Sequence, residues 1–556
     1  MATSAAVQPT PIQIVRAFVG AVPSEVSTRP VLGILGVVMG AGIVTLAGRM
    51  LTLGLADLKG SAGIAYDDGA WISSAFNIAL VFIGPFTVYL GGLLGARRIL
   101  LFAAGAFVLI NMFLPLVHNY SLLIAAVALA GLVSGTFYPL TLTFALRSIP
   151  PRVLPFTVAL YASCVDFSVN IAPSLYGWYR DHFSWRWMFW GSVPLTLLMM
   201  VFVYYGIPPS PAPKKDGAAP SFAGFLYGSA GFATLYAALD QGERLDWWRS
   251  GVFTALFIAG AFFLLCALVR RVRGPNPLVD LLFLGKRDTL LLGSVLFLFR
   301  FTLLGTIMLI PQSLSVHGFE ASQIGPALLG TAAAQIIIAF VAALLLLRNF
   351  DSRLLMAVGF ACMGIACCLN ASVTSVWSAA NYDRTELLMG VGQSFAFIGL
   401  VSTIVLHGLF FGALAKPQRT LTFSAYFHVV RLFGGNLGAV FMVHFIAQRE
   451  KLHSYLLGLH VQQGNWITNA NIGQLTAGLF PKSSGLAAAT GRAVGLVAGR
   501  IRLQAYILTF ADGFHLVAWG CVLVMLVTAF LHKSPLSYGY FTELQPSSAP
   551  NREAKS

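Results

Sequence analysis

The chain has 556 residues, 57% of them hydrophobic and only 10% charged, with a mean hydropathy of +0.79. A soluble domain carries roughly a quarter charged residues, so this composition excludes a soluble protein of such length and implies one polytopic membrane bundle. The net charge of +15 does not indicate a nucleic-acid partner, because the Lys and Arg sit in short gaps between apolar runs and not on one face.

In chain order, the first thirty or so residues contain Pro, Ser and Ala, with no apolar core followed by a small-residue cleavage site. The first span itself is expected to serve as the insertion signal. A spanning helix needs about 20 apolar residues, and fourteen segments qualify. They are Val31–Leu55, Ala70–Leu90, Ile99–Val117, Ser121–Leu146, Leu154–Gly177, Trp187–Gly206, Phe222–Leu239 and Gly251–Val269. Then follow Thr289–Ser313, Ile324–Leu347, Leu354–Val376, Leu387–Gly412, Leu421–Ala447 and Leu503–Leu531. An all-α membrane protein is the expected fold class.

Alternate gaps are basic: Arg97 and Arg98, Arg147 and Arg152, Lys214 and Lys215, Arg270 to Arg287, Arg348 and Arg353, Lys416 and Arg419, and the tail with Lys533, Arg552 and Lys555. The other gaps hold fewer, among them Lys59, Arg180, Arg186, Arg244 and Arg384. The positive-inside bias then places both termini in the cytoplasm. A Pro-rich linker, 208–220, divides the chain into a six-helix half (1–207), a linker with two inserted helices (208–287), a second six-helix half (288–531) and a tail (532–556). The long segment 449–502 between the last two spans is either a docking surface or lid, or a disordered loop. Its part Ser484–Arg502 has the spacing of a helix running into the final span.

Five charges interrupt apolar spans: Arg49, Asp166, Arg300, Arg431 and Asp512. A charge in a bilayer costs several kcal/mol or more, so it faces a partner or a watery path. Asp166 reads as a proton-coupling carboxylate or as one half of a static ion pair. Arg49 and Arg300 read as contacts for an anionic substrate, since guanidinium binds carboxylates bidentately. The alternatives are snorkelling for Arg49 and an ion pair with Asp166 or Asp512 for Arg300. His428, one turn before Arg431, and His407 are embedded candidates for proton relay and substrate contact. The six cysteines (Cys164, Cys266, Cys362, Cys367, Cys368, Cys521) fall in apolar segments and read as packing residues. The chain has no GxxxxGK[ST] phosphate loop, no HExxH or His/Cys metal cluster and no credible Ser-His-Asp set. No enzyme activity, cofactor or metal is expected.

Several stretches resemble the fourteen-helix drug:proton antiporters, the EmrB/QacA-like branch of the major facilitator superfamily. They are Ser184 to Trp190 with Val193-Pro194, Ala172 to Gly177, Gly131 to Pro139, Arg431 to Gly438, and Gln504 with Asp512 and Phe514. The resemblance runs from about Val31 to Leu531. It implies two six-helix halves plus two inserted helices, alternating access, and export of small amphipathic toxic compounds, anionic ones among them, against protons. It also implies a cell inner membrane and, by analogy, a periplasmic adaptor and an outer-membrane duct as partners. In this fold spans one and nine correspond, as do spans five and thirteen, so Asp166 is expected to face Arg431 across a central cavity. The resemblance assigns gating to Gly92, Gly95, Arg97 and Arg98, and to Pro173 and Gly177. The sequence departs from the family at Ala47, Gly92 and Val127, where an acid, an Asp and an Arg are usual. An uncoupled facilitator of organic anions and a non-transporting membrane scaffold are the alternatives.

Overall fold

A computed structural model describes residues 27–150, 153–209, 222–273, 285–412, 417–462, 464–534 and 536–538. Most of the Pro-rich linker, Arg152, Lys416 and the tail beyond 538 lie outside the described residues. Fourteen helices are long and apolar enough to cross a membrane: α1 (Pro30–Ala62), α2 (Tyr66–Gly91), α3 (Ala96–Leu116), α4 (Tyr120–Arg147), α5 (Leu154–His182), α6 (Trp187–Gly206) and α7 (Phe222–Gln241). The series continues with α8 (Gly251–Arg270), α9 (Arg287–Val316), α10 (Ala321–Leu347), α11 (Ser352–Asn370), α12 (Ala379–Phe410), α13 (Arg419–Gly458) and α14 (Leu486–Ala529). No strand occurs among the described residues. We call the face where α1 begins and α14 ends the terminal face, and the opposite one the loop face.

The first six spans pack on one another, α1 against α4, α5 and α6, and α2 against α4. The last six do likewise, α9 against α12, α13 and α14, and α11 against α12 and α14. Lipid gives no hydrophobic drive to helix association, so close backbone approach through small residues has to supply the packing. A Cβ on Gly206 of α6 would lie 2.3 Å from the backbone N of Gly33 in α1, and one on Gly359 of α11 would lie 2.3 Å from the Ala396 N of α12.

The two sets meet along α5–α10, α5–α12, α2–α13 and α4–α13. At the loop face a Cβ on Gly177 would lie 2.7 Å from Ser322 Cα, one on Gly325 would lie 2.5 Å from Ser174 Cα, and Arg180 pairs with Glu320 at 3.2 Å. At the terminal face Gly91 packs on Leu421 and Thr143 Oγ1 lies 3.5 Å from Ser424 Oγ. The sets therefore touch on both sides of the centre, an occluded arrangement.

The inserted pair differs in its two members. Helix α8 leans mainly on α7, where Gly231 faces Leu264 and Gly260 faces Leu235. Helix α7 bridges α2 and α13. Ser74 of α2 bonds Asp240 and Gln241, Asn436 of α13 donates to the Tyr236 carbonyl at 3.3 Å, and His444 meets Glu243 at 3.0 Å.

Segment 449–502 is largely helical and not a disordered loop. Helix α13 continues to Gly458, a helix Trp466–Leu479 follows, and α14 starts at Leu486 instead of Leu503. At 1.5 Å per residue, 40 and 44 residues far exceed the roughly 30 Å of hydrocarbon, so α13 and α14 project beyond the loop face. Arg449 Nε donates to Asp512 at 2.7 Å, His453 Nε2 lies 2.8 Å from the same oxygen, and Arg502 reaches Glu450 at 3.3 Å.

Gly359→Leu should lower the unfolding midpoint of detergent-purified protein, because an overpacked contact costs about 1–3 kcal/mol. Gly228→Ala, whose Cβ meets nothing within 4 Å, should leave the midpoint unchanged or slightly raised. Equal shifts would count against glycine packing as the fastening of α11 to α12.

Candidate functional site

The central helices bring three of the embedded charges together. Asp166, on α5, is 1% exposed, and neither carboxyl oxygen accepts a hydrogen bond from a described residue. The charges acting on it are those of Arg300 on α9 and Arg431 on α13. The guanidinium of Arg431 stands 4.0 Å over the ring of Tyr138 on α4, and His428 stacks on the same tyrosine at 5.2 Å between ring centroids. Tyr161 of α5 donates to the Tyr138 carbonyl at 3.3 Å. Tyr138 thus lies within electrostatic reach of Arg431, Arg300 and Asp166 at once. Arg300 lies beside Gly435, where a Cβ would come 3.5 Å from its Nε, so the glycines after Arg431 make room for a guanidinium. Tyr236 of the inserted α7 also faces Arg300.

Arg49 reaches the cluster from α1. Its Nη2 donates to the Ile307 carbonyl of α9 at 2.7 Å, and Arg300 is the nearest charge acting on it. The reason lies in the sequence of α9. Pro311 has no N–H for the carbonyl four residues back, and the helix widens to a π turn over Gly305–Leu309. Arg49 supplies the missing donor. It is therefore not snorkelling to an interface but joining α1 to α9 at mid-depth. Two guanidinium groups thus face one carboxylate where the two helix sets meet, and a third, that of Arg49, lies beside Arg300.

Other expected residues lie elsewhere. Asp512 is held by Arg449 and His453 on the projecting parts of α13 and α14. His407, near the terminal face, bonds the Thr403 carbonyl at 3.0 Å. Gly95 turns the chain between α2 and α3 with φ 84°, a conformation that favours glycine. The surroundings of Gly92 lie outside the described residues. Arg97 donates to the Tyr204 carbonyl at 2.6 Å, and Arg98 is exposed. The turn between α10 and α11 instead carries an acid–base pair. Asp351 meets Arg353 at 2.8 Å, and Arg353 donates to the Leu531 carbonyl at 2.7 Å. Burial alone would raise the Asp351 carboxyl, but the Arg353 hydrogen bonds outweigh it and hold it below its ordinary value. Pro173 is buried within α5, beside Ser174 and Gly177 at the α10 contact.

A second polar group escaped the sequence reading. Gln393 of α12 accepts from Asn170 of α5 at 2.8 Å and from Gln335 of α10 at 3.0 Å, and donates to Thr306 of the π turn at 3.0 Å. Glu386, two turns earlier on α12, is 0% exposed and lies against Thr331, Asn370 and Thr306.

Comparison with known proteins agrees with this architecture. The chain is 25% identical over 500 residues to the multidrug export protein EmrB of Escherichia coli K12, covering 87% of this chain and 91% of that one. It is 23% identical over 485 residues to the fatty acid resistance protein FarB of Neisseria gonorrhoeae, covering 87% and 92%. Its fold resembles that of the proton:xylose symporter XylE, with a TM-score of 0.54 at 12% identity over 93% of this chain and 98% of that one. It also resembles the human organic anion transporter MFSD10, with a TM-score of 0.51 at 13% identity over 91% and 99%. The family model of the Major Facilitator Superfamily matches residues 37–439, and the chain belongs to that superfamily.

Proposed function

We propose that the chain exports small amphipathic compounds, weak acids carried as anions among them, by alternating access in exchange for protons. The observation that carries this reading is the excess of guanidinium over carboxylate where the helix sets meet, Arg431 buried and Arg300 and Arg49 half-buried around a single buried acid. Such a site is incomplete without a further negative group, because an uncompensated buried charge is costly. Export is supported by likeness over most of the chain to relatives named for multidrug export and fatty acid resistance. A fatty acid is an apolar chain ending in a carboxylate, a shape that suits guanidinium groups among aromatic rings.

In this reading Arg300 and Arg431, with Arg49 behind them, hold the substrate's anionic group, and Tyr138 and His428 form the adjoining aromatic wall. Asp166 is the counter-charge of the empty site. A substrate anion competes with it for the same guanidinium groups. Opening at either face parts the α5–α10 or the α2–α13 contact. The basic gaps place the termini on the cytoplasmic side of an inner membrane. The projecting α13, helix Trp466–Leu479 and α14 would then stand outside it, with Trp466 and Leu486 exposed, as a surface for an adaptor continuing to an outer-membrane duct.

Proteoliposomes carrying a pH dye test the reading directly. Adding permanently charged anionic amphiphiles such as alkyl sulfonates, which do not cross a bilayer as neutral acids, should trigger proton movement opposite to substrate movement, with no response in empty liposomes. Substrate movement without protons would instead support an uncoupled facilitator.

Arg300→Leu should weaken transport of anions by about tenfold or more, since a hydrogen bond to a charged group contributes roughly 1.5–3 kcal/mol. Transport of cationic amphiphiles should fall much less. Equal loss for both would remove Arg300 from substrate recognition.

A further inference from the structure

Glu386 has no place in the cluster just described, yet it is fully buried in α12 and pairs with no cation among the described residues. The groups around it are neutral hydrogen-bonding side chains: Thr331 of α10, Asn370 of α11 and Thr306 of α9. Its titratable neighbours are Tyr382, one turn earlier on α12, and Cys367 of α11. Neither is basic. Helix α5 presents Asn170 toward it through Gln393, with Asp166 one turn before. Arg300 of α9 acts on Arg431, Asp166, Tyr138 and Tyr236, and not on Glu386.

The geometry at Thr331 bears on what Glu386 carries. The Thr331 hydroxyl lies 3.0 Å from the Glu386 backbone carbonyl oxygen and 2.8 Å from its carboxyl Oε2. A hydroxyl has one hydrogen to donate. If Thr331 gives it to the carbonyl, the second short contact becomes a hydrogen bond when the carboxyl carries a proton and donates to Thr331 Oγ1. The same proton removes a buried charge that has no counter-charge among the neutral groups around it.

We propose that Glu386 is a proton-binding site, loaded in the occluded form and tied to the movement of the helix sets through Thr306, Gln393 and Asn170. The tie is physical: the 2.8 Å bond from Asn170 to Gln393 crosses from α5 to α12, so it breaks when those helices part, and the network around Glu386 rearranges. The inference rests on the proton-exchange reading and supplies what that reading needs. At Asp166 an anion and a proton are taken up together, because the anion draws the arginines away from the carboxylate. Movement in opposite directions then requires an acid outside the field of the arginines. Glu386 fits that requirement, releasing its proton to water on one side and regaining one on the other.

The test combines infrared difference spectroscopy on purified protein with flux in proteoliposomes, using laurate as the probe, for wild type, Glu386→Gln and Asp166→Asn. A protonated-carboxyl band at neutral pH, present in wild type and Asp166→Asn and lost in Glu386→Gln, is expected. Proton movement per laurate, above that of protein-free liposomes, should fall to background in Glu386→Gln while the purified variant still binds laurate, which shows the variant folded. A band that survives in Glu386→Gln, or unchanged proton movement per laurate, overturns the proposal. So does a sodium-dependent loss of the band in wild type, which would make the site one for a metal cation. If wild type moves no protons with any substrate, the exchange reading fails on its own, and the band alone then decides whether Glu386 holds a proton.

Discussion

The structure depends on one electrostatic imbalance where two sets of helices meet: a buried Asp166 carboxylate beside the buried Arg431 and half-buried Arg300 guanidinium groups, with half-buried Arg49 behind them. Ions in a low-dielectric interior interact strongly and are expensive to leave unpaired. Asp166 is almost fully buried, with no hydrogen bond to either oxygen from a described residue. Arg300 and Arg431 lie near enough to influence it without closing onto it. Such an arrangement is poorly suited to permanent stability and well suited to a site whose occupant comes and goes. The occluded contacts at both faces, Gly177 on Ser322 and Gly91 on Leu421, enclose it.

Backbone irregularity positions the charges. Pro311 and the π turn of α9 leave the Ile307 carbonyl short of its usual partner, and Arg49 from α1 fills the vacancy. One hydrogen bond thereby joins the first and the last six spans at the depth of the site. The same π turn presents Thr306 to Gln393, so a single distortion serves both the arginine cluster and the amide network. The inserted α7 adds a strap between α2 and α13 and brings Tyr236 to Arg300. It is part of the site's wall, whereas α8 is largely a lipid-facing companion.

Fourteen spans, and the presence of charges within their apolar runs, were legible in the sequence, because apolar length and a charge within it are local signals. The acids that escaped notice share a cause. Asp240 and Glu386 each fall one residue from the edge of an apolar run, and such edges tend to stop at acids. The helices continue past them, so Glu386 is buried one residue before the expected start at Leu387. The snorkelling alternative for Arg49 fails for the same reason: α1 runs to Ala62, which puts the arginine mid-helix. The partners of Asp512 were not legible: α13 runs on past its apolar stretch and brings Arg449 and His453 to it. That pairing joins distant parts of the chain, and no local pattern carries it.

The central claim is that a substrate anion and Asp166 compete for Arg300 and Arg431. The most direct measurement is the affinity of purified protein for laurate as a function of pH, in wild type and Asp166→Asn. Wild type should bind more tightly as pH falls and Asp166 is neutralised. Asp166→Asn should bind at neutral pH at least about tenfold more tightly than wild type, a gain of roughly 1.4 kcal/mol, with little dependence on pH. A variant that binds no better than wild type and keeps its pH slope would contradict the account and make Asp166 a structural carboxylate.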